Sequence, residues 1–165
     1  MSFSNILKQA DIFFELTTTQ LELIASLCQE RRLNTGDVLF EENSPSDELY
    51  IIGQGEVEIL VNPSLVGDST ARDVGPVTIA TLRRGQSFGE VALVDQGLRS
   101  ATARCAQHNT QLLIIPREKL MVLCDTYPQL GYRLMRNLAA DLALKIRNTD
   151  MRIREELLYG IQRRG

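Results

Sequence analysis

The sequence predicts a mainly β protein with flanking helices, built as an antiparallel β-roll or jelly roll of the double-stranded β-helix type. Short apolar segments alternate with turn glycines through the middle of the chain, a pattern typical of antiparallel β structure. An amphipathic segment, which begins after three threonines, precedes these short apolar segments. After them, no glycine occurs between Gly131 and Gly160, which predicts one long C-terminal helix.

The region before the β segments is predicted to be helical. Thr17, Thr18 or Thr19 can act as the N-cap, because a threonine hydroxyl can accept a hydrogen bond from the first helical turn. We expect helical structure to extend to about Arg32 and to cover one face of the β region. The apolar residues of this helix, spaced by three and four, include Leu21, Leu23, Ile24, Leu27 and Cys28.

The β region is predicted to reach about Ile115. In the segment 56–61, alternation places Val57, Ile59 and Val61 on one face and Leu60 on the other, with the glutamates. The polar segment 62–76 is expected to be a solvated hairpin loop. The predicted strands are 38–40, 49–52, 56–61, 77–82, 101–105 and 111–115.

After Pro116, a short helix is predicted over 117–124 and a long one from Tyr127 to about Gln162. The long helix carries a heptad-like stripe, which favours a homodimer formed by two parallel helices. The alternative is that the stripe packs on the β-roll of its own chain; we expect its first turns to do so and the later turns to overhang. The stripe consists of Met135, Ala139, Leu142, Ile146, Thr149 and Ile153. We expect residues 1–126 and the helix 127–165 to form a single domain.

Composition restricts the classes of function. Among 165 residues, 18 are Lys or Arg and 21 are Asp or Glu, so a net charge of −3 gives no overall attraction to nucleic acid. The odd cysteine count of 3 and the single histidine, His108, predict neither a disulfide framework nor a metal site. The first ten residues lack a signal-peptide pattern, and no apolar run approaches a membrane span. A cytoplasmic protein without a membrane partner is expected.

The segment 85–105 contains the residues with clear binding chemistry. Gly89 allows close backbone approach, and a short helix from Glu90 can direct backbone N–H groups at an anion. Arg99 can bind two phosphate oxygens through its forked guanidinium, and the small residues Ser100 and Ala101 leave room for a ligand. Glu90 can accept hydrogen bonds from ribose hydroxyls. These residues predict a site for a ribose-phosphate ligand.

The order Phe-Gly-Glu, apolar, Ala-Leu, spacer and Arg-Ser-Ala in this segment resembles the phosphate-binding cassette of the cyclic-nucleotide-binding domain family. That family includes the catabolite activator proteins and the regulatory subunits of protein kinase A. The resemblance implies a site for cAMP or cGMP, in which Glu90 binds the ribose 2′-hydroxyl and Arg99 and Ser100 bind the cyclic phosphate. Backbone N–H groups near Val91 and Ala92 are implied to complete the phosphate site.

The same resemblance implies an apolar wall around sugar and base and a lid from the long helix. By position, the wall residues are Ile59, Ile79 and Phe88, and the lid residues are Leu142, Lys145 and Ile146. Lys145 and Ile146 stand where the bacterial catabolite-activator pattern has small hydroxyl residues. The way in which that pattern reads adenine therefore does not carry over, and the choice between cAMP and cGMP stays open. Leu98 replaces a common proline before the arginine.

The preferred function is a sensor in which nucleotide binding moves the C-terminal helix and an unidentified effector protein reads the movement. A transcription regulator is the first alternative; since the chain ends at Gly165 after a tail of mixed charge, DNA binding is not expected. Catalysis is not expected, because no catalytic constellation accompanies Glu90. A structural dimerisation module that binds no nucleotide, with Glu90 and Arg99 as a plain surface ion pair, is the remaining alternative.

Overall fold

The computed structural model describes residues 3–63, 75–95 and 97–162. Eight strands and four α helices lie in this part of the chain, together with two short 3₁₀ helices, Asp11–Phe13 and Glu90–Leu93. The α helices are α1 (Ser4–Leu7), α2 (Thr18–Ala25), α3 (Arg117–Thr126) and α4 (Pro128–Gln162). The strands are β1 (Gln29–Leu33), β2 (Val38–Phe40), β3 (Glu48–Gln54), β4 (Glu56–Val61), β5 (Val77–Arg83), β6 (Ser87–Phe88), β7 (Thr102–Cys105) and β8 (Thr110–Pro116).

The strands form two four-stranded antiparallel sheets, in the orders β1-β8-β3-β6 and β2-β7-β4-β5. Strands that are distant in the sequence therefore lie side by side, as in a roll. Helices flank the roll, and the long α4 follows it. The predicted fold class, an antiparallel β-roll with N-terminal helices and a long C-terminal helix, is confirmed.

The region after α2 differs from the prediction. Thr17 is the N-cap, and it forms a capping box with Gln20 in which each side chain accepts a hydrogen bond from the other residue's backbone N–H. The helix ends at Ala25, however, and Gln29–Leu33 is an edge strand paired with β8 rather than a continuation of the helix to Arg32. Glu and Arg are good helix formers, but the backbone pairing with β8 overrides that weak preference.

A β-bulge shifts the pattern of β4 and β5. Ile59 pairs with Ala80, whereas Leu60 pairs with Thr78, so Ile79 is an extra residue on β5. Beyond the bulge the alternation changes phase: Val57 and Leu60, predicted to lie on opposite faces, are both buried, at 0% and 3% exposed. The prediction for Leu60 was therefore wrong. Most of the predicted loop 62–76 lies outside the described residues, because the structure does not describe 64–74.

Two hydrophobic clusters share the central strands. Leu49 and Ile51 of β3 face a cluster with the N-terminal helices, α3 and the first turns of α4. Tyr50 and Ile52, which alternate with them, face a second cluster inside the roll with Val57 and other strand residues. β3 is therefore buried on both faces and fixes the helices relative to the roll interior.

The two halves of α4 have different surroundings. Leu130, Leu134 and Leu138 are buried in the first cluster, and Met135 and Leu142 of the predicted stripe pack against it. A Cβ atom on Gly131 would lie 2.9 Å from the carbonyl oxygen of Cys124, so α3 and α4 meet there at close range. The later turns are exposed, as predicted: their exposed apolar residues include Leu144, Ile146, Met151, Ile153, Leu157 and Leu158. None of the helices in the described ranges has the length and apolar composition to span a membrane.

Candidate ligand-binding site

A cavity of about 390 Å³ opens between the sheet of β4 and β5 and the segment that runs from β6 to β7. This volume is within the range of small-molecule sites, which is roughly 300–1,000 Å³. The apolar side chains Phe40, Ile59, Ala80, Leu82 and Phe88 line one part of it. The remainder is lined by Ser46, Ser87, Asp95, Gly97 and Leu98 together with the predicted residues Gly89, Glu90, Val91, Arg99, Ser100, Ala101 and Lys145. The predicted Ala92 is fully buried and does not line the cavity.

Gly89 determines how closely the two charged residues approach the sheet. Its φ of 75° is left-handed, and a Cβ atom there would lie 2.7 Å from Nη1 of Arg99 and 2.9 Å from the carbonyl oxygen of Glu48. Only glycine therefore fits both the backbone turn and the packing of Arg99. The 3₁₀ helix Glu90–Leu93 follows directly, and the N–H of Ala92 donates to the carbonyl of Gly89 at 3.1 Å.

Arg99 is a buried cation, 6% exposed, with no carboxylate in an ion pair with it among the described residues. Its Nη2 donates to the carbonyl oxygen of Glu48 at 3.0 Å, and Nε is buried without a hydrogen-bond partner in the described part of the chain. The guanidinium carbon lies 4.2 Å from the ring centroid of Phe40 and 5.6 Å from that of Tyr50. A buried charge with an unused donor is costly, so this position favours a bound anion.

The backbone and the aromatic residues hold Arg99 in place. Its N–H donates to the carbonyl of Ser44 at 2.8 Å, and its own carbonyl accepts from the N–H of Asn43 at 2.7 Å. The Tyr50 hydroxyl donates to Oε2 of Glu48 at 2.6 Å. Burial, and then this hydrogen bond to Glu48, raise the pKa of Tyr50 above its usual value, so the phenol stays neutral at physiological pH. The guanidinium is thus oriented before any ligand binds.

Glu90 is buried at the other side of the cavity floor, with a side chain that is 7% exposed, and its Oε1 accepts from Nζ of Lys145 on α4. Nζ also lies 3.1 Å from Oδ2 of Asp141, one turn earlier on the same helix. Burial lowers the pKa of Lys145, but the Glu90 and Asp141 carboxylates outweigh burial and raise it overall. Because Glu90 and Arg99 are both buried, the alternative of a plain surface ion pair between them is wrong.

The structure corrects the predicted wall at one position. Ile59 and Phe88 line the cavity, but Ile79 does not; as the extra residue of the bulge it is 47% exposed. Ala80 and Leu82 of the same strand line the cavity instead. Counting from a glycine along a regular strand cannot detect a bulge, so the sequence contained no indication of this shift.

Of the three predicted lid residues, only Lys145 reaches the cavity. Leu142 packs against the first hydrophobic cluster, and Ile146 is 63% exposed. The prediction that these two residues lie over the cavity was therefore wrong for this position of α4. Ile146 directly follows Lys145 and is therefore turned about 100° from it around the helix, whereas Leu142, about 60° away, lies on the side that packs against the first cluster.

Sequence reasoning missed the residues that support Arg99. Phe40 ends the segment Gly-Asp-Val-Leu-Phe, and nothing in that segment indicates a contact with an arginine. Glu48 contributes its carbonyl oxygen, a group that every residue carries, so its identity gives no indication of the role. Both contacts are tertiary and depend on the packing of β2 and β3 against the segment 97–101.

A β-roll with a cavity that presents one buried carboxylate and one buried guanidinium defines a binding module for a small anionic ligand. A family model described as "Cyclic nucleotide-binding domain" matches residues 30–127, more than half of the chain. The chain therefore belongs to the cyclic nucleotide-binding domain family, which confirms the resemblance seen in the sequence.

Relatives in this family have different functions. Over 147 residues the chain is 31% identical to the Cyclic AMP receptor protein of Thermus thermophilus, covering 89% of this chain and 62% of that protein. Over 128 residues it is 25% identical to cGMP-dependent protein kinase 2 of Homo sapiens, covering 78% of this chain and 16% of that protein. The chain thus spans less than two thirds of the length of these curated relatives.

A solved structure supports the fold independently. The crystal structure of a cyclic nucleotide-binding domain from Methylobacillus flagellatus superimposes with a TM-score of 0.78 and 24% identity, covering 93% of this chain and 83% of that chain. At this level of identity the similarity shows a common fold.

Proposed function

We propose that this protein binds cAMP or cGMP in the cavity and acts as a regulatory sensor rather than as an enzyme. The observation that carries the proposal is Arg99: a buried guanidinium, stacked on Phe40, with an unused Nε donor at a cavity that also contains Glu90. A cyclic phosphate supplies the missing anion, since guanidinium and phosphate form strong paired hydrogen bonds. Glu90 accepts from the ribose 2′-hydroxyl.

The remaining lining residues suit the other parts of such a ligand. In this proposal the Ser100 hydroxyl and the backbone at Gly89 and Val91, which line the cavity, contact the phosphate, whereas Ile59 and Phe88 offer an apolar surface to sugar and base. The preference between cAMP and cGMP is open, because the two relatives described above are named for different nucleotides. We assign the nucleotide site to residues 1–126 and the lid to 127–165, within one domain.

Thermal unfolding with added nucleotide tests the proposal. At a nucleotide concentration of about 100 to 1,000 times the dissociation constant, linkage predicts roughly 3–4 kcal/mol of stabilisation by cAMP or cGMP and much less by linear 5′-AMP. Arg99→Leu should remove the response, while Arg104→Leu, which removes a half-exposed arginine of β7, should retain it. If no cyclic nucleotide raises the melting temperature of the wild type, the module is structural and the proposal fails.

We further propose that α4 transmits the signal and forms a homodimer. The exposed apolar residues of its second half support this: Leu144, Met151 and Leu158 are seven residues apart, and so are Ile146 and Ile153. Sedimentation velocity should show a dimer for the wild type and a monomer for Ile153→Asp, whose side chain is remote from the cavity. A monomeric wild type would refute the dimer but not the nucleotide site.

We propose that an effector protein responds to the position of α4. The cysteines in the described residues, Cys28, Cys105 and Cys124, are free thiols, which supports the cytoplasmic location that we propose.

A further inference from the structure

The ion pair between Lys145 and Glu90 links α4 to the floor of the cavity. Glu90 is one of the two charged groups that we assign to the ligand, yet in this structure its Oε1 is occupied by the ammonium of Lys145. The Lys145 side chain is 51% exposed and extends from the helix into the cavity lining. Among the described residues of α4, Lys145 alone lines this cavity.

A ribose hydroxyl and the Lys145 ammonium need the same carboxylate. A hydroxyl and an ammonium both make charge-assisted hydrogen bonds to an ionised carboxylate, but the ammonium adds the attraction between opposite charges, which is strong at a buried site. A bound ribose must therefore displace Lys145 from Glu90, or its own contact with Glu90 is weakened. Since Glu90 is 5% exposed, room for both partners around its oxygens is limited.

Lys145 has a second partner on its own helix. Asp141, four residues earlier, has its Oδ2 3.1 Å from Nζ, within the distance of an ion pair. An ammonium that leaves Glu90 can thus remain paired with Asp141 across one helical turn. Two arrangements of Lys145 are available: bound to Glu90 and Asp141 together, or to Asp141 alone.

We propose that Lys145 is an affinity-setting latch, which holds α4 on the cavity by binding Glu90 until the 2′-hydroxyl of a cyclic nucleotide replaces it. This inference rests on the proposed nucleotide site. The latched arrangement lowers the apparent affinity, because only the fraction of molecules with Glu90 free binds ribose at full strength. Release of Lys145 removes the polar contact between α4 and Glu90 and thereby couples nucleotide binding to the position of the helix.

Lys145→Met should therefore strengthen binding. We expect the dissociation constant for the bound cyclic nucleotide, measured by titration calorimetry with cAMP and with cGMP, to fall by about fivefold to fiftyfold. Arg147→Met is the matched control, since it removes one cation from an exposed position on the same helix, and its affinity should equal that of the wild type. Lys145→Arg, which keeps a positive charge at this position, should retain wild-type affinity.

The 2′-deoxy analogue of the same nucleotide separates competition from a general charge effect. It has no hydroxyl to compete for Glu90, so Lys145→Met should change its dissociation constant by less than about twofold. Amide hydrogen exchange over residues 143–162 of the ligand-free protein should be faster in Lys145→Met than in Arg147→Met, because the latch is missing.

Equal or weaker cyclic nucleotide binding by Lys145→Met would overturn the latch; weaker binding would show that Lys145 contacts the nucleotide directly. An equal gain in affinity for the 2′-deoxy analogue would overturn it as well. If the wild type and both methionine variants bind neither cyclic nucleotide, the proposed function itself fails. That result is distinct from failure of the latch alone, in which all three proteins bind equally.

Discussion

The two ends of the cavity are built differently. At the charged end, Arg99 and Glu90 are 6% and 5% exposed, and Arg99 is held by Phe40, the carbonyl of Glu48 and the backbone of residues 43–44. At the open end, Leu98 at the rim of the cavity is 65% exposed. The charged end is thus fixed by the β-roll itself, whereas the open end is bordered by an exposed side chain.

Among these variants, the largest effect on stability and nucleotide affinity should follow from Gly89→Ala at the charged end of the cavity. The new Cβ would meet Arg99 Nη1 at 2.7 Å and Glu48 O at 2.9 Å, in a left-handed backbone conformation. We expect a loss of about 1–3 kcal/mol in the free energy of unfolding and at least a tenfold loss of nucleotide affinity, measured by urea denaturation and calorimetry.

Gly36→Ala is the matched control for that variant. Gly36 has a φ of +95°, but a Cβ atom there would meet nothing within 4 Å. The Gly36→Ala variant should therefore lose free energy of unfolding through its left-handed backbone conformation, with unchanged nucleotide affinity. Equal affinity losses in the two variants would mean that packing against Arg99 is not what Gly89 provides.

A smaller effect is expected from Phe40→Leu, which removes the ring 4.2 Å from the guanidinium carbon of Arg99. Since a cation–π contact contributes about 0.5–2 kcal/mol, nucleotide affinity should fall roughly threefold to thirtyfold. Tyr50→Phe keeps the second ring and loses only the hydrogen bond to Glu48, so calorimetry should show a smaller change. Unchanged affinity in Phe40→Leu would show that Arg99 keeps its orientation without the ring.

The smallest effect should come from the open end. Leu98→Ser changes a side chain that is 65% exposed at the rim of the cavity. Exposed substitutions typically change free energies by about 0.5 kcal/mol or less, so affinity should change by less than threefold. A tenfold loss in a calorimetric titration would contradict the comparison, because a side chain at the open end would then contribute as much to the binding free energy as one at the charged end.

Sequence reasoning succeeded where the structure is local. The glycine, the 3₁₀ helix and the arginine of the site lie within 11 consecutive residues, Gly89 to Arg99, so their order largely determines their arrangement. It failed where geometry depends on distant contacts. A bulge displaces Ile79 from its predicted place, and β1 is a strand rather than a helix because of its pairing with β8, which is not visible in its own residues.

The lid residues on α4 also could not be predicted from the local sequence. Which face of α4 meets the roll depends on how Leu130, Leu134 and Leu138 settle into the first cluster, and this rotation about the helix axis is a tertiary property. A difference of about 100° in that rotation, the angle between successive residues, exchanges Lys145 for Ile146 at the cavity. The exposed second half of α4, by contrast, followed from the length of the helix relative to the roll.

If α4 rotated as a rigid rod about its close contact with Cys124 at Gly131, displacements would grow along the helix. With a rise of about 1.5 Å per residue, Lys145 lies about 21 Å and Gln162 about 46 Å along the helix from Gly131. A rotation of about 10° at that point would move Lys145 by about 4 Å and the far end by about 8 Å. A displacement just large enough to break a single ion pair at the cavity would thus be doubled at the tip of the helix.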